Sequence, residues 1–474
     1  MTARVVILGG GFSGAIAALH LARAAEAPLA IDIVEPRPLL GGGVAYSAPD
    51  ARHRINVPAA RMSAYSDDMG HFDRWLRQRD VAATDPECEI PGGHLFPARR
   101  EFGRYLDEQV RAQAAIRHVR RRAVSAAPRP GVGYVATLDD GSRLEADILV
   151  IAASHPAPAV PSVLAEALAD DPRLIADPWK EGALSDLDPD ARVLIMGTGL
   201  TMADIVASLA GAGHRGPIAA FSRRGLLPRG HALDATQLVG DFASPPSRTA
   251  LALLRRIRAE VADASRQGRA WQAVLDAVRR DGRLVWQALP IEEKRRLLRH
   301  LRAFWDVHRY RMAPQPEAEL LRLGEQGQLQ VLAARLVGIE AGPDGILAKL
   351  RLRRTGAVAD RPVDAVILAT GPDHDRLLQR SPPLAALAEA GRLRGDPLGL
   401  GLEVDGISRA IGADGRGDSS LWVAGPLARG TFGELMGLPQ VLIHAEDVAK
   451  AVARELRERQ DWPVSAAATM FPLW

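Results

Sequence analysis

Apolar and polar positions along the chain repeat one pattern twice. The segment "RVVILGGGFSGAIAALHLARAA", residues 4–25, runs from an unbroken apolar stretch through clustered glycines into a helix-spaced apolar face, and "LAIDIVEP" follows as a second strand ending at Glu35. The same order returns in "RVLIMGTGLTMADIVASLAGAG", residues 192–213, and then "GPIAAFSRR", residues 216–224. Each copy predicts a strand, a glycine turn, a helix and a second strand. Between them "YVATLDDGSRLEADILVIAAS" predicts a hairpin turning at Asp140-Gly141 and a buried strand over 147–153, and "DAVILATG" predicts a second such return at 364–371. The two returns suggest crossings from one domain to the other. Residues 248–311 have helical spacing throughout, and "LQVLAARLVGIEAGPDGILAKLRLRR" supplies further hairpin strands. "SLWVAGP" is the last buried strand, before a helix in "LPQVLIHAEDVAKAVAREL".

The glycine turns carry the first chemistry. Gly9-x-Gly11-x-x-Gly14 sits between strand and helix, with Glu35 ending the next strand 21 residues after Gly14. Glycines let the backbone approach a pyrophosphate at a helix N-terminus, and an acid so placed accepts hydrogen bonds from a ribose. The second copy has Gly197, Thr198, Gly199, Leu200 and Thr201, with Ala203 at the third glycine position. Its second strand ends in Ser222, Arg223 and Arg224 rather than in an acid. An acid there would repel a 2′-phosphate, whereas arginines fork around one with paired hydrogen bonds. The first unit therefore reads as an FAD site and the second as an NADPH site; in the competing reading the two arginines pair with surface carboxylates.

Length and composition narrow the classes. A chain of 474 residues suggests two or three domains, and 47% hydrophobic with 25% charged residues describes an ordinary globular protein. A net charge of +3 gives no argument for nucleic acid, no apolar run approaches the roughly 18 residues of a membrane span, and the N-terminal run has no cleavage pattern, so a cytoplasmic protein is expected. No metal-ligand spacing stands out. Residues 248–311 hold 16 Lys and Arg against 7 Asp and Glu, which reads either as a solvated helical face or as a cationic wall beside an anionic ligand. Cys88 is the only cysteine. A flavin reduced by NADPH therefore has no cysteine pair to pass electrons to. Three fates remain: oxygenation through a flavin C4a-hydroperoxide, whose chemistry belongs to the cofactor; reduction or dehydrogenation with a non-oxygen acceptor; and a non-catalytic redox-sensing role.

Several motifs together resemble a known group. "ILATG" at 367–371 is similar to the Ala-Thr-Gly return of the two-dinucleotide-domain flavoproteins, which include flavin-containing, Baeyer-Villiger and N-hydroxylating monooxygenases. More narrowly, "GGGVAYSAPDARHRINVPAARMSAYSDDMGHFDRWL", "FPARREFGRYL", "MGTGLTMAD", "SRRGLLPRGH", "WDVHRYRMAP" and "GPLARGTFGE" resemble a bacterial family described as FAD/NAD(P)-binding proteins, over nearly the whole chain. The resemblance implies amine-oxidising chemistry on amino acids. Two departures stand out. The FxGxxxHxxxW/Y fingerprint is missing, with only "AASHPAPAVP" at 152–161 near the expected linker, and the usual Gly-Asp is Gly425-Pro426.

The resemblance also implies site residues. Gly9, Gly11, Phe12, Ser13 and Gly14 would hold the FAD pyrophosphate, and Glu35 and Arg37 the adenosine half. Ala45, Tyr46, Asn56 and Met62 fall in the flavin-covering segment; Asn56 reads equally as a turn residue and Met62 as core. Val124 and Gly425 complete the FAD set with Pro439 and Gln440, whose helix amides would face the flavin N1–C2 carbonyl. Thr370 and Gly371 join the NADPH set. For a substrate anion the candidates are Arg309, Arg311 and Arg429, each of which also reads as an interdomain ion-pair residue, while His308 reads as structural.

The expectation is an α/β protein with two Rossmann-like dinucleotide-binding domains and a helical insertion. A discontinuous FAD domain would span 1–160 and 361–474, an inserted NADPH domain 161–245 and 324–360, and the insertion 246–323. The expected function is an FAD- and NADPH-dependent monooxygenase that oxygenates the amine of a small anionic amino acid. Its partners would be that small molecule and O2, with neither nucleic acid nor membrane, in a chain that forms a homodimer.

Overall fold

The computed structural model describes residues 2–461 apart from 154, 155, 157, 234–236, 344, 372, 374 and 375; three positions of the "AASHPAPAVP" linker thus lie outside the described residues. A six-stranded sheet is built in the order Arg409–Ile411, Gly417–Val423, Ile148–Ile151, Ala3–Leu8, Leu29–Val34, Ile116–Val119, parallel except at its first strand. Alternation along Ala3–Leu8 explains its two-sided burial. Val5 and Ile7 pack under the helices Phe12–Ala24, Arg99–Arg111 and Gln440–Asp461, while Val6 and Leu8 face a three-stranded hairpin sheet and the helix Pro382–Glu389.

A seven-stranded sheet runs Leu174–Ile175, Ala365–Leu368, Val193–Met196, Ile218–Ser222, Leu329–Gly342, Gly345–Leu352, Val358–Val363. Its long strand Leu329–Gly342 begins parallel to Ile218–Ser222 and ends as one arm of an antiparallel hairpin. Ala365–Leu368 corrects the expected boundary at 361: it pairs in register with Val193–Met196, so the return strand closes the second sheet. The chain re-enters the first sheet only at Arg409–Ile411. The helix Pro314–Glu325 also packs on Leu200–Gly211 of the second unit, through Leu320 and Leu323.

The helices Ala250–Arg266, Trp271–Arg280, Gly282–Ala288, Ile291–His300 and Arg302–Arg309 form the insertion, with a small core of Phe242, Leu253, Ala264, Val274, Ala277, Val278 and Val285. Two contacts fasten the nucleotide units to each other. The buried Arg99 pairs with buried Asp204 at 2.8 Å, and the Ser208 hydroxyl donates to Asp50 at 2.6 Å while lying 2.9 Å from the His53 ring.

Candidate active site

The first turn is tight enough to explain its glycines. Gly9 has φ +102°, and a Cβ on Gly14 would stand 2.0 Å from the Gly9 carbonyl oxygen. Only glycine permits the helix Phe12–Ala24 to start this close to the strand. Gly425, also at positive φ, meets the same helix start: its Cβ would stand 2.1 Å from the Ser13 hydroxyl. Buried Glu35 accepts from the Gly10 amide at 3.0 Å and from the Arg37 amide and guanidinium at 3.1 and 3.2 Å. Gly9, Gly11, Phe12, Ser13, Gly14, Glu35, Arg37 and Gly425 thus meet at one end of the first sheet. Gly43 comes within van der Waals reach of Gly11, and Tyr46 packs edge-on to Phe12 and Phe102 at centroid distances of 6.3 and 4.8 Å, closing the loop that carries Ala45 over the turn. Burial pushes the Tyr46 hydroxyl up to about 12, so it stays protonated.

The other members of that set are placed less tellingly. Met62 is 2% exposed within the core, and Asn56 offers its carbonyl to the His231 ring at 3.0 Å. Val124 lies at the bulge of the hairpin sheet, between the paired Ala123 and Ser125.

The second turn repeats the geometry. Gly197 has φ +128°, and a Cβ there would meet the Ala369 carbonyl at 2.2 Å, which sets Thr370 and Gly371 just beyond the turn. Gly199 caps the helix Leu200–Gly211 with open space around it, and neither dinucleotide helix has an acid in its first turn or a capping side chain. Both N-termini keep their amides free for phosphate. Thr198 hydrogen-bonds to the Leu226 carbonyl at 2.7 Å and lies 2.8 Å from the Ser222 hydroxyl, fixing the strand end that carries the arginines. Arg223 is exposed, with its carbonyl accepting from Arg353, and the Arg224 guanidinium lies 4.7 Å from the centre of the Phe304 ring. Among the described residues neither has an ion pair with a carboxylate.

The helical insertion docks on the segment before the last helix. Trp286 donates to the Gly430 carbonyl at 2.8 Å, Trp305 to Glu434 at 3.3 Å, and Arg309 pairs with Glu434 at 2.7 Å. Phe304 and Arg309 belong to one helix, Arg302–Arg309, which therefore touches both the arginine end of the second unit and Glu434 in the segment before Gln440–Asp461.

The three predicted substrate arginines separate here. Arg311 makes a two-bond pair with Asp276 at 3.0 and 2.9 Å and is removed from the free cations. Arg309 is buried, with one nitrogen on Glu434 and its Nη2 without a partner. Arg429 is 5% exposed; it donates to the Leu400 carbonyl and to the Met436 sulfur, each at 3.1 Å, leaving its Nη2 buried and unpartnered. Burial and the neighbouring Arg302 lower its pKa to about 10. Two side chains were missed from sequence. Arg279 donates to the Gln440 amide oxygen at 2.7 Å, and Asp306 has its pKa raised by burial to about 6. His308 lies 2.7 Å from the Phe304 carbonyl of its own helix through Nδ1.

Residues 6–156 match the family model described as FAD-NAD(P)-binding. No curated protein matches the chain in sequence. Among solved structures, an ornithine N-hydroxylase from Kutzneria sp. 744 with reduced FAD, NADP+ and L-ornithine is 18% identical with a TM-score of 0.63, over 97% of this chain and 100% of that one. An L-lysine 6-monooxygenase from Pseudomonas syringae is 20% identical with a TM-score of 0.63, over 95% and 99%. The FAD-bound cadaverine monooxygenase from Erwinia amylovora is 14% identical with a TM-score of 0.64, over 100% and 99%. This is the two-dinucleotide flavoprotein fold. Within that fold the uncapped helix starts and glycine cradles fit FAD at the first turn and a nicotinamide dinucleotide at the second. Among the described residues no helix is long and apolar enough to cross a membrane.

Proposed function

We propose that this chain is an FAD- and NADPH-dependent monooxygenase that oxygenates the amine of a small anionic amino acid. The observation that carries the reading is the helix Arg302–Arg309, which joins the Arg224 end of the dinucleotide strand to buried arginines beside the last helix. Donor selection and substrate anchoring are thereby linked through one short helix.

In this reading Gly9, Gly11, Phe12, Ser13 and Gly14 hold the FAD pyrophosphate, Glu35 and Arg37 the adenosine half, and Pro439 and Gln440 set the amides at the start of the last helix toward the isoalloxazine. Gly197 through Thr201 with Thr370 and Gly371 hold the NADPH backbone, and Ser222, Arg223 and Arg224 its 2′-phosphate. FAD, when bound, accepts hydride and activates dioxygen. The chain contributes placement and charge. Arg429 and Arg309 each present a free Nη2, so a substrate carboxylate satisfies donors that otherwise stay buried without acceptors. Asp306, held near pH 6, is ionised at neutral pH and offers an acceptor for an ammonium proton, freeing the amine lone pair. Trp286 and Trp305 close the insertion over this region and exclude water.

The test is a screen of amino acids for NADPH consumption coupled to product, with labelled dioxygen and mass spectrometry. Label in the product nitrogen group supports the reading. NADPH oxidation that no amino acid stimulates, with all oxygen recovered as peroxide, defeats it.

A further inference from the structure

The arginines of the insertion include one that the substrate reading does not use. Arg279 lies near the end of the helix Trp271–Arg280, and its Nε donates to Gln440 Oε1 at 2.7 Å, on the first residue of the last helix. Its Nη2 is buried without a partner. The nearby carboxylates are already engaged: Asp276 by Arg311 in two hydrogen bonds, Glu434 by Arg309 and Trp305. The cluster of Arg279, Arg309 and Arg311 against Asp276 and Glu434 therefore carries one cation in excess, set against a helix N-terminus that is itself partly positive. Burial and Arg309 depress the Arg279 pKa to about 9, the mark of a cation held where its charge is unwelcome. Among the described residues its hydrogen-bond partner is the neutral Gln440 amide, so no carboxylate is hydrogen-bonded to that charge.

We infer that Arg279 is the positioning cation for the flavin ring, held through Gln440 so that its charge complements the negative charge that collects at the N1–C2 carbonyl edge when the ring accepts two electrons and one proton. This rests on the FAD half of the proposed function only. Three features support it over a purely structural role: the partner is the helix residue assigned to that ring edge, the guanidinium has a donor to spare, and the two carboxylates near it are hydrogen-bonded to other side chains. Reduction then brings in the missing charge, and the reduced form binds more tightly than the oxidised one.

The experiment uses the FAD-loaded protein without NADPH, substrate or dioxygen, so it does not depend on the oxygenase reading. Sulfite donates its lone pair to oxidised flavin and leaves a negative charge on the ring, and its dissociation constant reports positive potential there. Arg279→Gln is expected to weaken sulfite binding at least tenfold and to lower the two-electron midpoint potential by ~30 mV for each tenfold loss in preference for reduced FAD. Arg279→Lys, which retains the charge, stays within threefold of the parent. Gln440→Glu neutralises the guanidinium in place and gives the same direction of change if Arg279→Gln does not fold. Sulfite affinity and potential unchanged in both Arg279→Gln and Gln440→Glu overturn the inference. So does equal loss in Arg279→Lys, which would mark a packing role.

Discussion

Replacing Arg223 and Arg224 together by alanine tests how the electron donor is chosen. Ser222 is fixed by the Thr198 hydroxyl and by the Gly225 amide, which donates to it at 3.0 Å, so the strand end keeps its shape when the two side chains are shortened. Arg224 is steadied on Phe304, whereas Arg223 is exposed and held only through its backbone. A hydrogen bond to a charged group contributes about 1.5–3 kcal/mol, and the exposed partner gives the lower end or less. The pair is therefore worth about 2–4 kcal/mol toward a 2′-phosphate, or roughly 30- to 700-fold in the ratio of kcat/KM for NADPH over NADH. Anaerobic flavin reduction by each nucleotide measures that ratio without involving oxygen. The double variant should bring it close to one, mainly through weaker NADPH binding, and the parent's preference should shrink as salt rises. A ratio within threefold of the parent's would refute the reasoning and return both arginines to the solvated surface.

Further outcomes follow from the packing. Gly14→Ala forces a Cβ to 2.0 Å from the Gly9 carbonyl and should give a folded protein purified without flavin absorbance; a yellow protein with parental flavin content contradicts the tight turn. Asp204→Ala leaves Arg99 buried and unpaired and should cost ~3–5 kcal/mol in denaturant unfolding, most of it regained in Arg99→Met with Asp204→Leu; no regain means that the pair is not the source of the loss. Burial, aided by Arg283, lowers the pKa of His444 from 6.5 to about 3, with its Nδ1 accepting from the Gly425 amide at 3.1 Å. A depressed folded pKa means that its contribution is complete above pH 6.5 and lost as pH falls toward 3. Between pH 7.5 and 5.0 the parent should lose about 2 kcal/mol more than His444→Asn, and equal losses would rule out the buried neutral histidine.

Both dinucleotide turns were legible because their signal is local: strand, glycines, helix and terminal residue lie within some 35 positions, and the close approaches at Gly9, Gly14 and Gly197 explain each glycine. The fate of the arginines was not local. Arg309 meets Glu434 across 125 residues and Arg279 meets Gln440 across 161, so counting charge in residues 248–311 separated neither the neutralised from the free nor Arg311 from Arg309. The strand Ala365–Leu368 shows the same limit. Its apolar run announces a buried parallel strand, and nothing in it says which of two sheets it completes.

The seam made by Arg99, Asp204, Ser208 and Asp50 bears on how electrons travel. Opening a hinge there would break a buried ion pair and a hydroxyl–carboxylate hydrogen bond together, so both contacts resist a swing of the whole nucleotide unit. If the seam holds, the two halves form a fixed frame, and a nicotinamide cofactor bound at the Gly197–Thr201 turn would have to reach the flavin within it. Loosening the seam should then make the protein leakier to solvent rather than faster.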